Sequence, residues 1–124
     1  MKRLLTCLIL LVSAQSSIAG LIHKDRPPVA TDDLAAVVSL GGDTNILIGG
    51  ASSVLENDFD PDGDPLTASI VTFPIYGGII LRPDGTFIYN NTDPSGSGKQ
   101  DYFIYKACDD KGLCSQAMLK IAIP

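Results

Sequence analysis

The sequence has no tryptophan and a single histidine among its 124 residues. His23 lies in the segment that precedes the first predicted strand, and no Gly-x-Ser-x-Gly motif is present, so a Ser-His-Asp triad has no well-placed base. Aspartate is abundant enough for paired-carboxylate hydrolysis, but the acids cluster on one turn instead of flanking a cleft. We therefore expect a protein that binds or spaces, not an enzyme.

The sequence also lacks a hydrophobic run long enough to span a bilayer, which takes about 20 apolar residues. Its longest run, Leu4 to Val12, follows Lys2 and Arg3 and is succeeded by small residues up to Ala19. This layout predicts a secretory signal over residues 1–19, with cleavage before Gly20 and a mature chain of 105 residues. We expect an extracellular or periplasmic protein without membrane insertion.

Basic residues are scarce and unevenly distributed. The mature chain has seven Lys and Arg against 14 Asp and Glu, a formal net charge of −7, which argues against nucleic acid as a partner. No Lys or Arg occurs between Arg26 and Arg82, while eight acidic residues fall in that interval. The negative field is therefore concentrated in the first half of the mature chain.

No stretch outside the signal has apolar residues at helical spacing, and Gly or Pro interrupts nearly every candidate window. Short β-prone runs separated by turns predict an all-β Greek-key sandwich of about seven strands over residues 29–124, after an extended segment at 20–28. The predicted strands are Val37-Val38, Ile46 to Ile48, Leu66 to Phe73, Gly78 to Leu81, Thr86 to Tyr89, Tyr102 to Cys108 and Cys114 to Ile123. Arg82-Pro83-Asp84-Gly85 reads as a hairpin turn.

The last two predicted strands alternate between apolar and polar side chains. Alternation directs seven side chains to the core: Phe103, Tyr105, Ala107, Ala117, Leu119, Ile121 and Ile123. Cys108 and Cys114 then point to the opposite face as cross-strand partners, at a separation that suits a disulfide. A redox pair or a metal site is the less favoured alternative, because the spacing fits neither.

An acidic loop from Glu56 to Pro65 contains five carboxylates and no neighbouring cation in the sequence. Ca²⁺ takes six to eight oxygen ligands, and aspartates alternating along a Gly-containing turn can supply them. We predict a calcium site from Glu56, Asp58, Asp60, Asp62 and Asp64. An EF-hand is excluded because Ser69 occupies the twelfth position, and a solvated acidic turn remains the alternative.

Four ordered blocks resemble a known family. They are Pro28 to Asp33, Val54 to Thr67, Gly77-Gly78 leading to Pro83 to Tyr89, and Asp101 to Tyr105. The sequence is similar to bacterial cadherin-like, or tandem-95 (VCBS-type), Ig-like repeats over residues 28–123. The resemblance implies a seven-stranded Greek-key sandwich of bacterial surface and secreted proteins, associated with adhesion, matrix attachment and sometimes calcium.

Two functions follow as expectations. The first is a module that binds a protein or glycan at the cell surface or in the extracellular matrix, and the second is a calcium-stiffened spacer or assembly unit that self-associates. A carbohydrate-binding module ranks third, because the sequence has no tryptophan and its aromatic side chains fall at predicted core positions.

Overall fold

The computed structural model describes residues 23–37 and 39–124, so the predicted signal lies outside the described residues. Seven strands are present in this part of the chain: β1 Asp33–Ala36, β2 Asp43–Thr44, β3 Thr67–Thr72, β4 Gly77–Leu81, β5 Phe87–Asn91, β6 Gln100–Cys108 and β7 Cys114–Ala122. One 3₁₀ turn, Pro94–Gly96, precedes β6. None of the described helical segments has the length and apolar character that a membrane crossing needs.

The strands form two sheets, in the orders β1-β7-β6-β3 and β2-β5-β4. All pairs are antiparallel except β1 and β7, which run parallel with Asp33 opposite Leu119. Non-sequential neighbours in both sheets show that the chain crosses between the two layers. This architecture confirms the predicted all-β sandwich of about seven strands.

The core lies between the sheets and is dominated by aromatic side chains. Phe87 and Tyr89 of β5 face Phe103 and Tyr105 of β6, and all four are at most 1% exposed. The ring centroids of Phe87 and Phe103 are 6.5 Å apart, a tilted arrangement typical of packed aromatic pairs. The seven apolar side chains predicted on the inner face of β6 and β7 are all buried, which confirms the period-2 interpretation.

The β6–β7 hairpin carries the predicted disulfide. Cys108 and Cys114 are opposite each other in the register, with Cα atoms 4.1 Å apart, and their sulfur atoms are bonded. The prediction of a Cys108–Cys114 bond is confirmed. The Arg82–Gly85 turn is present too: the Gly85 N–H donates to the Arg82 carbonyl at 2.9 Å, with Gly85 at a φ of 83°.

Two predicted strands differ from the structure. The sequence predicts the first strand at Val37-Val38, but it lies at Asp33–Ala36, before those residues. Asp33 and Ala35 are buried within it, and the buried Val37 follows its end. The predicted strand at 46–48 is wrong: only Leu47 is buried, it makes an isolated bridge with Ala35, and the Gly49-Gly50 turn follows immediately.

Candidate metal centre

The acidic loop folds around Asp60. Oδ1 of Asp60 accepts hydrogen bonds from the backbone N–H groups of Asp62 at 2.8 Å and Asp64 at 3.2 Å, and Gly63 adopts a φ of 79°. These bonds curl the chain because a carboxylate that binds its own backbone two residues on makes an Asx turn. As a result, one carboxylate oxygen from each of Asp60, Asp62 and Asp64 lies within 4.8 Å of the others.

Asp62 is paired with the entry segment. The Arg26 guanidinium donates to Asp62 Oδ1 at 2.8 and 3.1 Å, the Arg26 backbone N–H donates to Oδ2 at 2.7 Å, and His23 Nε2 lies 2.8 Å from Oδ1. The Arg26 side chain, with a smaller contribution from His23, holds the pKa of the Asp62 carboxyl well below its usual range. The loop therefore has a cation beside it, which the local sequence does not reveal.

A second acidic group joins three distant segments. One carboxylate oxygen from each of Asp25, Asp64 and Asp109 lies within 4.8 Å of the others. Asp25 belongs to the entry segment, Asp64 to the acidic loop and Asp109 to the β6–β7 turn. The register of β3 and β6 explains why Asp64 and Asp109 are close. Thr67 is opposite Cys108, so the residues just before β3 lie beside those just after β6.

Asp109 is fixed in place and largely removed from water. Its Oδ1 accepts hydrogen bonds from the Lys111 and Leu113 N–H groups, both at 2.9 Å, and the residue is 6% exposed. Its Oδ2 is buried and has no hydrogen-bond partner among the described residues. A buried carboxylate oxygen without a partner costs free energy, so this atom is free to accept a water molecule, a proton or a cation.

Two neighbouring carboxylates also have a buried oxygen without a hydrogen bond. The Oδ2 atoms of Asp25 and Asp60 are also buried without a hydrogen bond from any described residue, whereas Asp64 Oδ2 has the Lys111 ammonium 2.7 Å away. Desolvation, followed by repulsion from Asp109, raises the pKa of Asp25 to about 6. Among the described residues the Lys111 ammonium pairs with Asp64 and Asp110 but not with Asp25 or Asp109, so the charge of Asp25, Asp64 and Asp109 is incompletely neutralised.

The donor set fits a hard cation. All the available ligand atoms are carboxylate oxygens, which suit Ca²⁺, and no described cysteine or histidine joins either group. Asp25, Asp60, Asp64 and Asp109 have unpaired or ammonium-paired oxygens to offer, while Asp62 would first have to release Arg26.

Glu56 and Asp58, the two other residues of the predicted calcium site, lie outside both groups. Oδ1 of Asp58 accepts a hydrogen bond from the Thr31 N–H at 2.7 Å, and its Oδ2 lies 3.0 Å from the Tyr105 hydroxyl. Glu56 is exposed at the edge of a recess beside β1. The sequence prediction missed Asp25 and Asp109, because Asp109 reaches the acidic loop through the long-range pairing of β3 with β6 and Asp25 through the folding back of the entry segment.

A second buried carboxylate supports the fold. Asp101 is 1% exposed and accepts hydrogen bonds from the N–H groups of Ile75 and Tyr76, both at 2.8 Å, and from the Tyr89 hydroxyl at 2.7 Å. The contacts to both its oxygens tie the β3–β4 connection to the core. Asp101 is therefore a structural carboxylate.

The family described as bacterial Ig domain matches residues 25–122. The chain belongs to this family. A bacterial Ig domain fits a non-catalytic module, and the match supports this family without specifying the cadherin-like or tandem-95 subgroup. No curated protein is similar enough to the chain to count as a relative.

Solved structures share the fold of this bacterial Ig domain. One is a nucleoside hydrolase-related hypothetical protein from Saccharophagus degradans associated with carbohydrate metabolism, with a TM-score of 0.54 and 16% identity over 81% of this chain and 26% of that one. Another is the endo-fucoidan hydrolase MfFcnA4 from glycoside hydrolase family 107, with a TM-score of 0.50 and 20% identity over 85% of this chain and 15% of that one. The domain thus spans about a quarter or less of these chains, and the likeness concerns the fold alone.

Proposed function

We propose that this bacterial Ig domain is an exported, non-catalytic module that binds Ca²⁺ between its entry segment and two loops. In this role it engages a protein or glycan at the cell surface or in the extracellular matrix. The observation that carries the calcium proposal is the buried, unpaired Oδ2 of Asp109, whose carboxylate lies within ligand reach of Asp25 and Asp64. Extracellular modules typically bind Ca²⁺ with Kd values of about 10⁻⁴ to 10⁻³ M.

The ion would be held by Asp25, Asp64 and Asp109, with Asp60 available through the shared acidic loop. Lys111 would leave Asp64 when the ion enters, since an ammonium and Ca²⁺ compete for the same oxygen. Because the ligands come from three segments, binding would join the entry segment to the sandwich. The proposed calcium site therefore lies where the acidic loop meets Asp25 and Asp109, and not within the acidic loop alone.

A calcium-stiffened spacer or assembly unit is the second candidate function. The hydrogen bonds between Arg26 and Asp62 favour the spacer function, because they already hold the entry segment against the acidic loop. Self-association that requires Ca²⁺ would support the spacer, whereas a monomer that captures surface material would support the binding module. Carbohydrate binding stays third: one structural neighbour is an endo-fucoidan hydrolase, but that likeness extends to the fold only.

The test is thermal unfolding of the chain without residues 1–19, in excess EDTA and in millimolar Ca²⁺. At these Kd values, 10 mM Ca²⁺ lies about ten- to a hundredfold above Kd and adds about 1.4–2.7 kcal/mol to the stability of the folded state, so we expect Tm to rise by about 5–20 °C. Asp109→Asn should abolish the rise. This variant keeps an Oδ1 that accepts from the Lys111 and Leu113 N–H groups, so the turn itself is preserved.

Asp43→Asn is the matched control, since Asp43 is exposed on β2 and outside both acidic groups. It should respond to Ca²⁺ as the unmodified chain does. Coincident melts of the unmodified chain in EDTA and Ca²⁺ would refute the calcium proposal and leave a solvated acidic turn. A rise that persists in Asp109→Asn would refute the assignment to Asp109.

A further inference from the structure

The edges of the two sheets differ in how they are protected against pairing with another chain. Leu47 covers β1 through an isolated bridge, β2 has only two residues, and a register shift interrupts β3. The Ala68 N–H of β3 also donates to the Pro83 carbonyl at 2.9 Å. Native sheets use such devices to prevent edge-to-edge pairing. β4 has none of them, because Gly77–Leu81 contains no proline, no charged residue and no register shift.

The free edge of β4 presents a row of backbone groups. The Arg82 N–H donates to the Thr86 carbonyl at 2.8 Å, so the even-numbered residues of β4 exchange hydrogen bonds with β5. The N–H and C=O groups of the odd-numbered residues therefore point away from β5. These residues are Gly77, Ile79 and Leu81. Among the described residues, their backbone groups make no hydrogen bond to a third segment.

The surface around this edge is apolar and uncharged. Phe73, Ile75 and Ile80 are 67%, 69% and 58% exposed, which places three of the four most exposed large apolar side chains within eight residues. Residues 65–81 contain no charged side chain, although the chain as a whole is acidic. Two copies repel each other where their acidic surfaces meet. At this edge they can approach without contact between like charges.

The sequence of β4 is complementary to itself in the antiparallel direction. A pair centred on Ile79 joins Gly77 to Leu81 of the second copy, and it uses every free N–H and C=O group of the edge. A shifted register leaves some of these groups unpaired. The centred register also places Ile80 opposite Gly78 of the second copy. The space where a Gly78 side chain would lie is open, so the large side chain meets no obstruction there.

We propose that two copies of this domain pair through β4 as an antiparallel dimer, so that the β2-β5-β4 sheet continues from one copy into the other. β4 contributes five residues, against about 20–30 a side in a standard interface, so the dimer is weak, with a Kd on the order of 100 µM. β4 shares no residue with the acidic groups around Asp64. The pairing therefore does not depend on Ca²⁺, and this proposal and the calcium proposal can fail separately.

The test is sedimentation equilibrium of the chain without residues 1–19, in EDTA, over about 0.02–1 mM protein. We expect a reversible monomer–dimer equilibrium. Ile80→Lys should weaken dimerisation at least about tenfold, because lysine on an edge strand opposes pairing. Ile48→Lys is the matched control, since Ile48 is 66% exposed and lies beside β1, where its N–H donates to the Leu34 carbonyl. This control should dimerise as the unmodified chain does.

Cysteine variants test the register. A mixture of the Gly78→Cys and Ile80→Cys variants should form an intermolecular disulfide, because the two positions are opposite in a non-hydrogen-bonded pair with Cα atoms about 4.5 Å apart. Neither variant should cross-link to the same extent alone, and equal cross-linking of one variant alone would overturn the centred register.

Three results of the sedimentation experiment would overturn the dimer. A chain that stays monomeric at about 1 mM would leave the edge to a strand of another protein. A dimer that forms only with Ca²⁺ would assign association to the candidate metal centre. Equal weakening by Ile80→Lys and Ile48→Lys would place the contact away from β4.

Discussion

The Tyr105 hydroxyl lies 3.1 Å from Oδ2 of Asp33, in a buried position between the entry to β1 and the acidic loop. Asp58 Oδ2 and the Val54 carbonyl are each 3.0 Å from the same oxygen, and the Thr31 carbonyl is 3.2 Å away. A tyrosine hydroxyl has one hydrogen to donate. The hydroxyl therefore cannot donate to both carboxylates at once.

Removing this hydroxyl should destabilise the fold. Tyr105→Phe keeps the ring, which packs at 0% exposure, but leaves two carboxylates without their shared partner. A buried acceptor left unsatisfied costs about 1–3 kcal/mol, so the free energy of unfolding in urea should fall by that amount. Tyr102→Phe is the control, because Tyr102 is 39% exposed, and it should change stability little. Equal stability of the two variants would contradict the role of the Tyr105 network.

The hydrogen-bond network around Tyr105 predicts that the stability of the fold depends on pH. Desolvation raises the pKa of Asp33 from 3.8 to about 6, and the nearby Asp58 carboxylate also raises it, against the lowering effect of the Tyr105 hydroxyl. Because the folded-state value is the higher one, the contribution of Asp33 to stability is fully present below about pH 4 and is lost as pH rises through about 6. A buried carboxylate therefore opposes folding at neutral pH.

Asp33→Asn should remove this pH dependence. Relative to the unmodified chain, the variant should gain about 2–3 kcal/mol of stability between pH 4 and pH 7, the free energy that corresponds to a shift of this size. Urea unfolding at pH 4, 5, 6 and 7 measures the difference. The difference in stability between Asp43→Asn and the unmodified chain should stay constant from pH 4 to pH 7. A difference that is also flat for Asp33→Asn would show that folding does not raise the pKa of Asp33, against this prediction.

The sequence predicts the fold best where local periodicity decides it. The β6–β7 hairpin alternates strictly, so its inner face, its register and the disulfide all follow from parity. Arg82 to Gly85 carries its own turn chemistry. By contrast, Ile46 and Ile48 look like strand residues, yet the Gly49-Gly50 turn ends the pairing and leaves both side chains exposed.

The candidate metal centre is less predictable because its residues meet through long-range pairing. Spacing along the acidic loop indicates Asp60, Asp62 and Asp64, and the structure brings these three together. The spacing does not indicate that Arg26 binds Asp62 or that Asp58 lies beside Tyr105. Those contacts depend on how β1 and the entry segment pack on the sandwich, which no local pattern encodes.

Lys111 should act as a competitor for the metal. Its ammonium lies 2.7 Å from Asp64 Oδ2, and the hydrogen bond to Asp64, with a further one to Asp110, raises its pKa. Lys111→Gln removes this cation, so Ca²⁺ should bind about two- to fivefold more tightly, in line with the strength of an exposed ion pair. Calorimetric titration measures the affinity. Lys106→Gln, an exposed change on β6, is the control, and unchanged affinity in Lys111→Gln would contradict competition at Asp64.

The Cys108–Cys114 disulfide should support both the fold and calcium binding. Closing so short a loop stabilises the folded state by about 2–3 kcal/mol in the chain-entropy model, so the Cys108→Ser/Cys114→Ser variant should unfold at lower urea. Asp109 follows Cys108 directly and points its Oδ1 at the Lys111 and Leu113 N–H groups inside this loop. Loosening the loop should therefore also weaken Ca²⁺ binding. Reduction of the unmodified chain is the matched comparison, and full calcium affinity after reduction would mean that the Asp109 hydrogen bonds alone hold the ligand in position.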